Sequence, residues 1–186
     1  RTAEQSATAL FWSPSASALW SANVRSLAGS MDLLTAARFE AIGIASVTNA
    51  LIAVWDAKYA YMFWRPVTAI QAGDTDGNDR TDADTVWTPF ITTPSHPEYP
   101  AAHTTVGGGA LGFYTVWFKT RRFPLAFTGN AGAVRQYTSV AEVAEEEGNA
   151  RVWGGMHWRN STEVGSALGR RVGRYTARHL LKRLDD

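Results

Sequence analysis

From Leu33 to Trp55 the chain is at its most apolar, and neither a proline nor a glycine-rich break interrupts it before Arg65-Pro66. A segment of that length is too long for a strand. Within it Leu34, Ala37, Ala41, Ile44, Ala45 and Thr48 recur at three- and four-residue steps, and Leu51, Ile52 and Trp55 extend the stripe. The spacing predicts one long buried helix that ends near Trp64, because the residue before a proline disfavours the helical conformation. Arg38, Glu40 and Asn49 interrupt the apolar run, so a core helix is expected and a membrane span is not.

The remaining segments point the same way. Gly73 to Tyr99 is polar and proline-rich, and reads as a long surface loop whose far end precedes His103. Thr104 to Lys119 reads as a helix in which Gly107-Gly108-Gly109 allows close backbone approach. An irregular stretch from Thr120 to Asn130 follows. A helix is then expected over Ala133 to Glu147, stopped by Gly148-Asn149. The last helix, Ser161 to Leu184, takes Ser161 as its N-cap and sets Val164, Leu168, Val172, Tyr175 and Leu180 along one face. Gly165, Gly169 and Gly173 fall at four-residue steps and would let a neighbour pack closely. Strand-like alternation is nearly absent and no repeat is visible, so the expected fold is an all-α helical bundle in a single domain, residues 1–186.

Charge narrows the function. Eighteen Lys and Arg against 17 Asp and Glu give a net charge of +1, so no general basic field exists for nucleic acid. Any anion specificity must come from local clustering. The absence of cysteine excludes thiolate metal sites and thiol nucleophiles and leaves the compartment undetermined. The chain opens on Arg1 without a signal-peptide pattern, and reads as a processed or truncated piece.

Three segments concentrate cations and imidazoles beside aromatic or small residues: Lys58 to Pro66, Pro97 to His103 and Arg151 to His157. A tetrahedral oxyanion needs several cationic donors and backbone N–H groups inside low-dielectric walls. Lys58, Arg65 and Arg151 supply the charge, and Trp64, Trp153 and Trp158 are candidates for the walls. His103 falls at the start of a helix, where free N–H groups favour an anion, and His157 can act as nucleophile, ligand or proton carrier. Taken singly, each residue has an ordinary reading as a surface cation, a helix-dipole partner or a satisfied histidine. Their recurrence in three ordered segments favours one shared site.

Those segments, Lys-six residues-Arg-Pro, Pro-small-small-His and Arg-five residues-His, resemble in sequence and order the signatures of the vanadium-dependent haloperoxidase and type 2 phosphatidic acid phosphatase superfamily. Trp55-Asp-Ala-Lys-Tyr, Phe63-Trp-Arg-Pro-Val-Thr-Ala-Ile70, Pro97-Glu-Tyr-Pro100 and Gly155-Met-His-Trp-Arg159 are most similar to its soluble haloperoxidase branch. The resemblance implies a helical bundle of that type, corresponding to the C-terminal half of longer members. It also implies that Lys58, Arg65, Arg151 and the backbone of Ala102 hold the oxygens of vanadate, that His157 coordinates vanadium, and that His103 is the acid–base residue. Lys58 would further activate hydrogen peroxide toward a halide. On a phosphoester, the same pocket would use His157 as nucleophile and His103 to protonate the leaving group, with phosphate in the place of vanadate. A weak anion-binding or storage protein is the third alternative.

The chain departs from the pattern at four places. Ala101 and Ala102 stand where Ser and Gly are usual, Ala150 replaces the Ser before the third-motif arginine, and Ser161 replaces the Asp four residues after the histidine. A hydroxyl contact to the oxyanion is thereby lost, worth roughly 0.5–3 kcal/mol. A bundle of this length would expose apolar helix faces that a second copy or a partner chain could cover.

The other polar features are expected to be unremarkable. Asp74 to Asp79 reads as a solvated turn, Glu145-Glu146-Glu147 as an exposed helix face, and His179 as a dipole partner in the last turn. His96 falls near the pocket rim. Asp56 and Glu98 are the acids available to orient His103 or Arg151, and the sequence does not choose between them.

Overall fold

Two helices approach so closely that their backbones touch, and the rest of the bundle is arranged around that contact. The computed structural model describes residues 1–182. Its elements in chain order are α1 (Ala3–Phe11), α2 (Ala16–Ala28), α3 (Leu33–Tyr61), α4 (Pro66–Gln71), α5 (Ala102–Trp117), β1 (Arg122–Thr128), β2 (Val134–Ser139), α6 (Val140–Trp153) and α7 (Arg159–His179). Along α5 and α7 the side chains at the seam are mostly absent. A Cβ at Gly169 or Gly173 would land on the backbone of Thr105 or Gly109. The expected small-residue seam is therefore present, and Thr162, Ser166 and Thr176 share the buried face of α7 with it. Tyr175 and Leu180, expected along the packed side, are 66% and 37% exposed. An α7 built on backbone contact buries its small face and turns the larger residues outward.

The long helix is found, but rotated from the expected face. α3 starts at Asp32, whose carboxylate accepts from Thr35 N at 3.0 Å. Its buried stripe is Phe39, Ile42, Gly43, Ser46, Val47, Ala50, Val54 and Lys58. Leu34, Ala37, Ala41, Thr48 and Ile52 are exposed instead. The helix is apolar nearly all round, so periodicity alone did not set its phase. By length and composition the segment from Leu33 to Gln71 could cross a bilayer; here α3 packs against α2, α5 and α7. The helix stops at Tyr61, earlier than expected, because Met62 turns left-handed at φ 50° and Arg65 is extended before Pro66. Pro66 then opens α4 at the position where its missing N–H costs nothing. Tyr61, Met62, Phe63 and Trp64 remain exposed at this corner.

The expected helix from Ala133 begins too early. β1 and β2 form an antiparallel hairpin that pairs Leu125 with Tyr137 and Phe127 with Arg135. The register slips between Arg122 and Leu125, where Pro124 offers no N–H to the ladder. Leu125 and Phe127 alternate inward with strand period, and Phe127 packs on Trp12 and Trp20 at centroid distances of 5.2 and 4.8 Å. Ser139 caps α6 by accepting from Glu142 N, and the helix runs through Gly148-Asn149 to Trp153. Gly155, at φ 78°, lies just beyond its end.

Only Glu145 of the acidic triplet is exposed. Glu146 accepts from Trp12 Nε1 at 2.9 Å and Tyr137 Oη at 2.6 Å, and pairs with Arg135. Glu147 is 1% exposed and accepts from Trp20 Nε1 at 3.0 Å. Burial pushes its carboxyl up to about 8 from 4.5, against the pull of Trp20 and Arg151. A carboxyl raised on folding stabilises fully below its unfolded value, and that contribution is lost as pH climbs through the folded one. Between pH 4.5 and 8 the loss is at most on the order of 4–5 kcal/mol. Glu147→Gln, which keeps the acceptor for Trp20, is expected to flatten this window. Melts at pH 5 should match the parent within about 1 kcal/mol, whereas at pH 8 the variant should be the more stable. A variant less stable than its parent at pH 8 would instead indicate an ionised Glu147 paired with Arg151.

Candidate oxyanion site

The three expected segments converge on one point. Lys58 lies in the last turn of α3 and Arg65 at the N-cap of α4. His103 stands in the first turn of α5, Arg151 in the last turn of α6, and His157 in the bend before α7. Ala102, His103, Arg151 and His157 line a cavity of about 260 Å³ together with His96 and Trp55. α5 begins without a side-chain cap, so its first-turn N–H groups face no competing side-chain acceptor.

The cations are buried. Arg65 donates from Nε to His96 O (3.1 Å), from Nη1 to Met156 O (2.8 Å) and from Nη2 to His96 Nδ1 (3.0 Å). Its Nη1 also reaches His157 Nε2 at 3.1 Å. Arg151, 2% exposed, donates to Trp12 O at 3.0 Å and approaches Met156 Sδ at 3.3 Å, while its Nε is buried without a partner among the described residues. Lys58 is fully buried and directs two of its three N–H groups to the carbonyls of Pro97 (2.7 Å) and Glu98 (2.8 Å). Burial, reinforced by Arg65, pulls Lys58 down to about 7, and burial lowers Arg65 and Arg151 to about 10. Desolvated positive charge is in surplus here, and an anion would offset it.

The imidazoles are neutral for the same reason. Burial, then Arg65 and Arg151, hold His157 well below its ordinary value, and burial with Arg151 does the same to His103. Their partners assign the tautomers. His157 Nδ1 donates to Glu98 Oε1 at 2.7 Å, which leaves the Nε2 lone pair toward Arg65 Nη1. His103 Nε2 donates to Pro14 O at 3.0 Å.

Some expectations need correction. Trp64 and Trp158 line a different, aromatic cavity with Tyr61, Phe63 and Tyr99, and Trp153 lines another beside Glu4. Each of the first two indoles neighbours an inward side chain, Arg65 or His157, on extended backbone, where successive side chains point to opposite sides. The apolar walls are Leu51, Trp55, Pro94 and Val106. Asp56 is exposed on α3 and orients nothing in the site, while Glu98 contacts His157 rather than His103 or Arg151. Ser161, expected as a helix cap, lies inside α7 and donates to Glu98. The carbonyls of Trp12 and Pro14 carried no sequence signal. As expected, His96 lines the cavity, His179 donates to Tyr175 O at 2.7 Å in the last turn of α7, and residues 74–79 are exposed.

Residues 38–186 match the family described as the VCPO second helical-bundle domain. The chain belongs to that family. Solved structures agree with the VCPO-type bundle. A bacterial vanadium-dependent iodoperoxidase superposes with a TM-score of 0.79 at 25% identity, covering 96% of this chain and 44% of that one. The holo-type bacterial vanadium-dependent chloroperoxidase gives 0.73 at 18% identity, with the same coverages. Its apo-type form gives 0.72 at 17%, covering 94% of this chain and 44% of that one. The two chloroperoxidase comparisons speak for the fold alone. This chain spans less than half the length of each structure. No curated protein sequence matches it. The expected helical bundle of haloperoxidase type is thus the observed fold, with the β1–β2 hairpin as an addition.

Proposed function

We propose that this VCPO-type bundle forms the anion-holding part of a vanadate-dependent haloperoxidase, with His157 Nε2 as the vanadium ligand. The observation that carries the reading is the pairing of a lone pair on His157 Nε2 with the partnerless buried Nε of Arg151 at one small cavity. An oxyanion bonded at Nε2 would take that lone pair over from Arg65 Nη1, and a hydrogen bond from Arg151 Nε would satisfy the orphaned donor. Arg65 would offset its charge from the His157 side, and the backbone of Ala102 would donate from the start of α5. Lys58 supplies field, with one N–H left for contact. His103, protonated at Nε2, keeps Nδ1 free to take a proton. Bound vanadate would supply activation of hydrogen peroxide toward a halide. The names of the structural relatives support that chemistry over others available to the pocket.

The protein incubated with orthovanadate and hydrogen peroxide is expected to oxidise iodide or bromide, and His157→Ala is expected to abolish the activity. Two outcomes would redirect the reading. Vanadate-inhibited hydrolysis of a phosphomonoester without halide oxidation would make the same Nε2 the nucleophile of a phosphatase. Orthophosphate binding without either turnover would leave an anion-binding protein.

A further inference from the structure

The acid that meets His157 comes from the second of the three segments, not from the third, where Ser161 stands four residues after the histidine. We infer that Glu98, in the loop before α5, is the positioning residue for His157. The inference rests on the reading of His157 Nε2 as the anion-side atom.

Glu98 is completely buried, and each of its oxygens is committed. Oε1 accepts from His157 Nδ1 at 2.7 Å and from Trp158 N at 3.0 Å, and Oε2 accepts from Ser161 Oγ at 2.5 Å. Among the described residues, His157 is the only ionisable side chain within ion-pair distance of it. Lys58 reaches the Glu98 carbonyl, not its carboxylate, and Arg65 spends its donors on His96, Met156 and His157. Glu98 therefore acts on the two neighbouring cations through space, without a direct ion pair to either. What it does hold is one imidazole proton, and by holding it at Nδ1 it keeps the lone pair at Nε2.

The backbone fixes where that carboxylate stands. Glu98 N donates to Phe63 O at 2.9 Å, Lys58 grips its carbonyl, and Ala101 N donates to Ser161 O at 3.0 Å, so the loop is tied to both α3 and the start of α7. Ser161 Oγ completes the cradle as a donor. An aspartate at 161 would set a second carboxylate against Glu98 Oε2, and like charges at that distance exclude each other. The two placements of the acid are alternatives, and this chain has the one at 98.

The test reads the imidazole directly. In 15N-labelled protein, long-range 1H–15N correlations at neutral pH are expected to show His157 protonated at Nδ1. Glu98→Gln keeps the shape, and is expected to weaken that bias and lower orthovanadate affinity by about 10–100-fold. Orthophosphate forms no bond to Nε2 and should lose less than about 3-fold. Glu98→Gln combined with Ser161→Asp should recover both the Nδ1–H tautomer and most of the orthovanadate affinity. An unchanged tautomer in Glu98→Gln would overturn the inference. So would an equal loss of both anions without recovery in the double variant, which would mark Glu98 as a packing residue only. If the parent binds no orthovanadate, the proposed function fails, while the tautomer comparison still decides the role of Glu98.

Discussion

Arg151→Met is expected to leave the protein folded and to abolish its response to oxyanions. The parent guanidinium is buried with one orphaned Nε, so the fold carries a desolvation cost of several kcal/mol that Glu147 offsets in part and a bound anion would offset further. Methionine removes that cost, but leaves the Trp12 carbonyl without its donor, a loss of about 1–3 kcal/mol. The two effects oppose each other, and without anion the variant should melt within about 2 kcal/mol of its parent. Ligand separates them. Orthovanadate at a hundred times its Kd stabilises a binding protein by about 2.7 kcal/mol. For a chain of this size that is roughly 5–10 °C in Tm. The parent should show this shift with orthovanadate and, at its own Kd, with orthophosphate. The variant should show neither, its affinities having fallen more than about 100-fold, near 3 kcal/mol. An Arg151→Met protein that still gains several degrees from orthovanadate would remove Arg151 from the site.

Gly169→Val is expected to have the largest effect on stability. Its Cβ would fall on Thr105 O and lie 2.8 Å from Gly109 N, and backbone atoms on a neighbouring helix cannot swing aside as a side chain can. Overpacking of that kind should cost more than about 3 kcal/mol, or at least 6–12 °C in Tm. Because α5 carries His103 and α7 begins just after His157, anion binding should fail with it. Gly148→Ala is the control. The nearest atom to its added Cβ is Thr162 Oγ1 at 3.6 Å, and the position is inside α6, so the change should stabilise by about 0.5–1 kcal/mol. Circular-dichroism melts of both variants would show whether the α5–α7 seam is a backbone contact.

The site was legible in the sequence to the extent that it is made of charge. Lys58, Arg65, His103, Arg151 and His157 have few ordinary reasons to recur in three ordered strings. The phase of α3 was not legible, because alanines on its exposed face obey the same period as the buried residues. The hairpin escaped notice because Pro124 and the slipped register break the alternation of Leu125 and Phe127 after a few residues. Glu147 looked solvated because its neighbours in sequence are acidic. Its burial depends on Trp20, whose Nε1 reaches it from α2 across 127 positions. Glu98 was visible as an acid near the second motif, but its partner lies in the third motif and only the tertiary fold brings the two together.

Residues 38–186 contain all five charged or imidazole side chains, but Arg151 and His103 each rest on a carbonyl from the turn between α1 and α2, those of Trp12 and Pro14. Ser15, Ala16 and Ser17 add part of the cavity wall. Transplanting the matched region alone onto another scaffold would therefore carry the motifs without their seat. A designer who wants the pocket must take its doorstep as well.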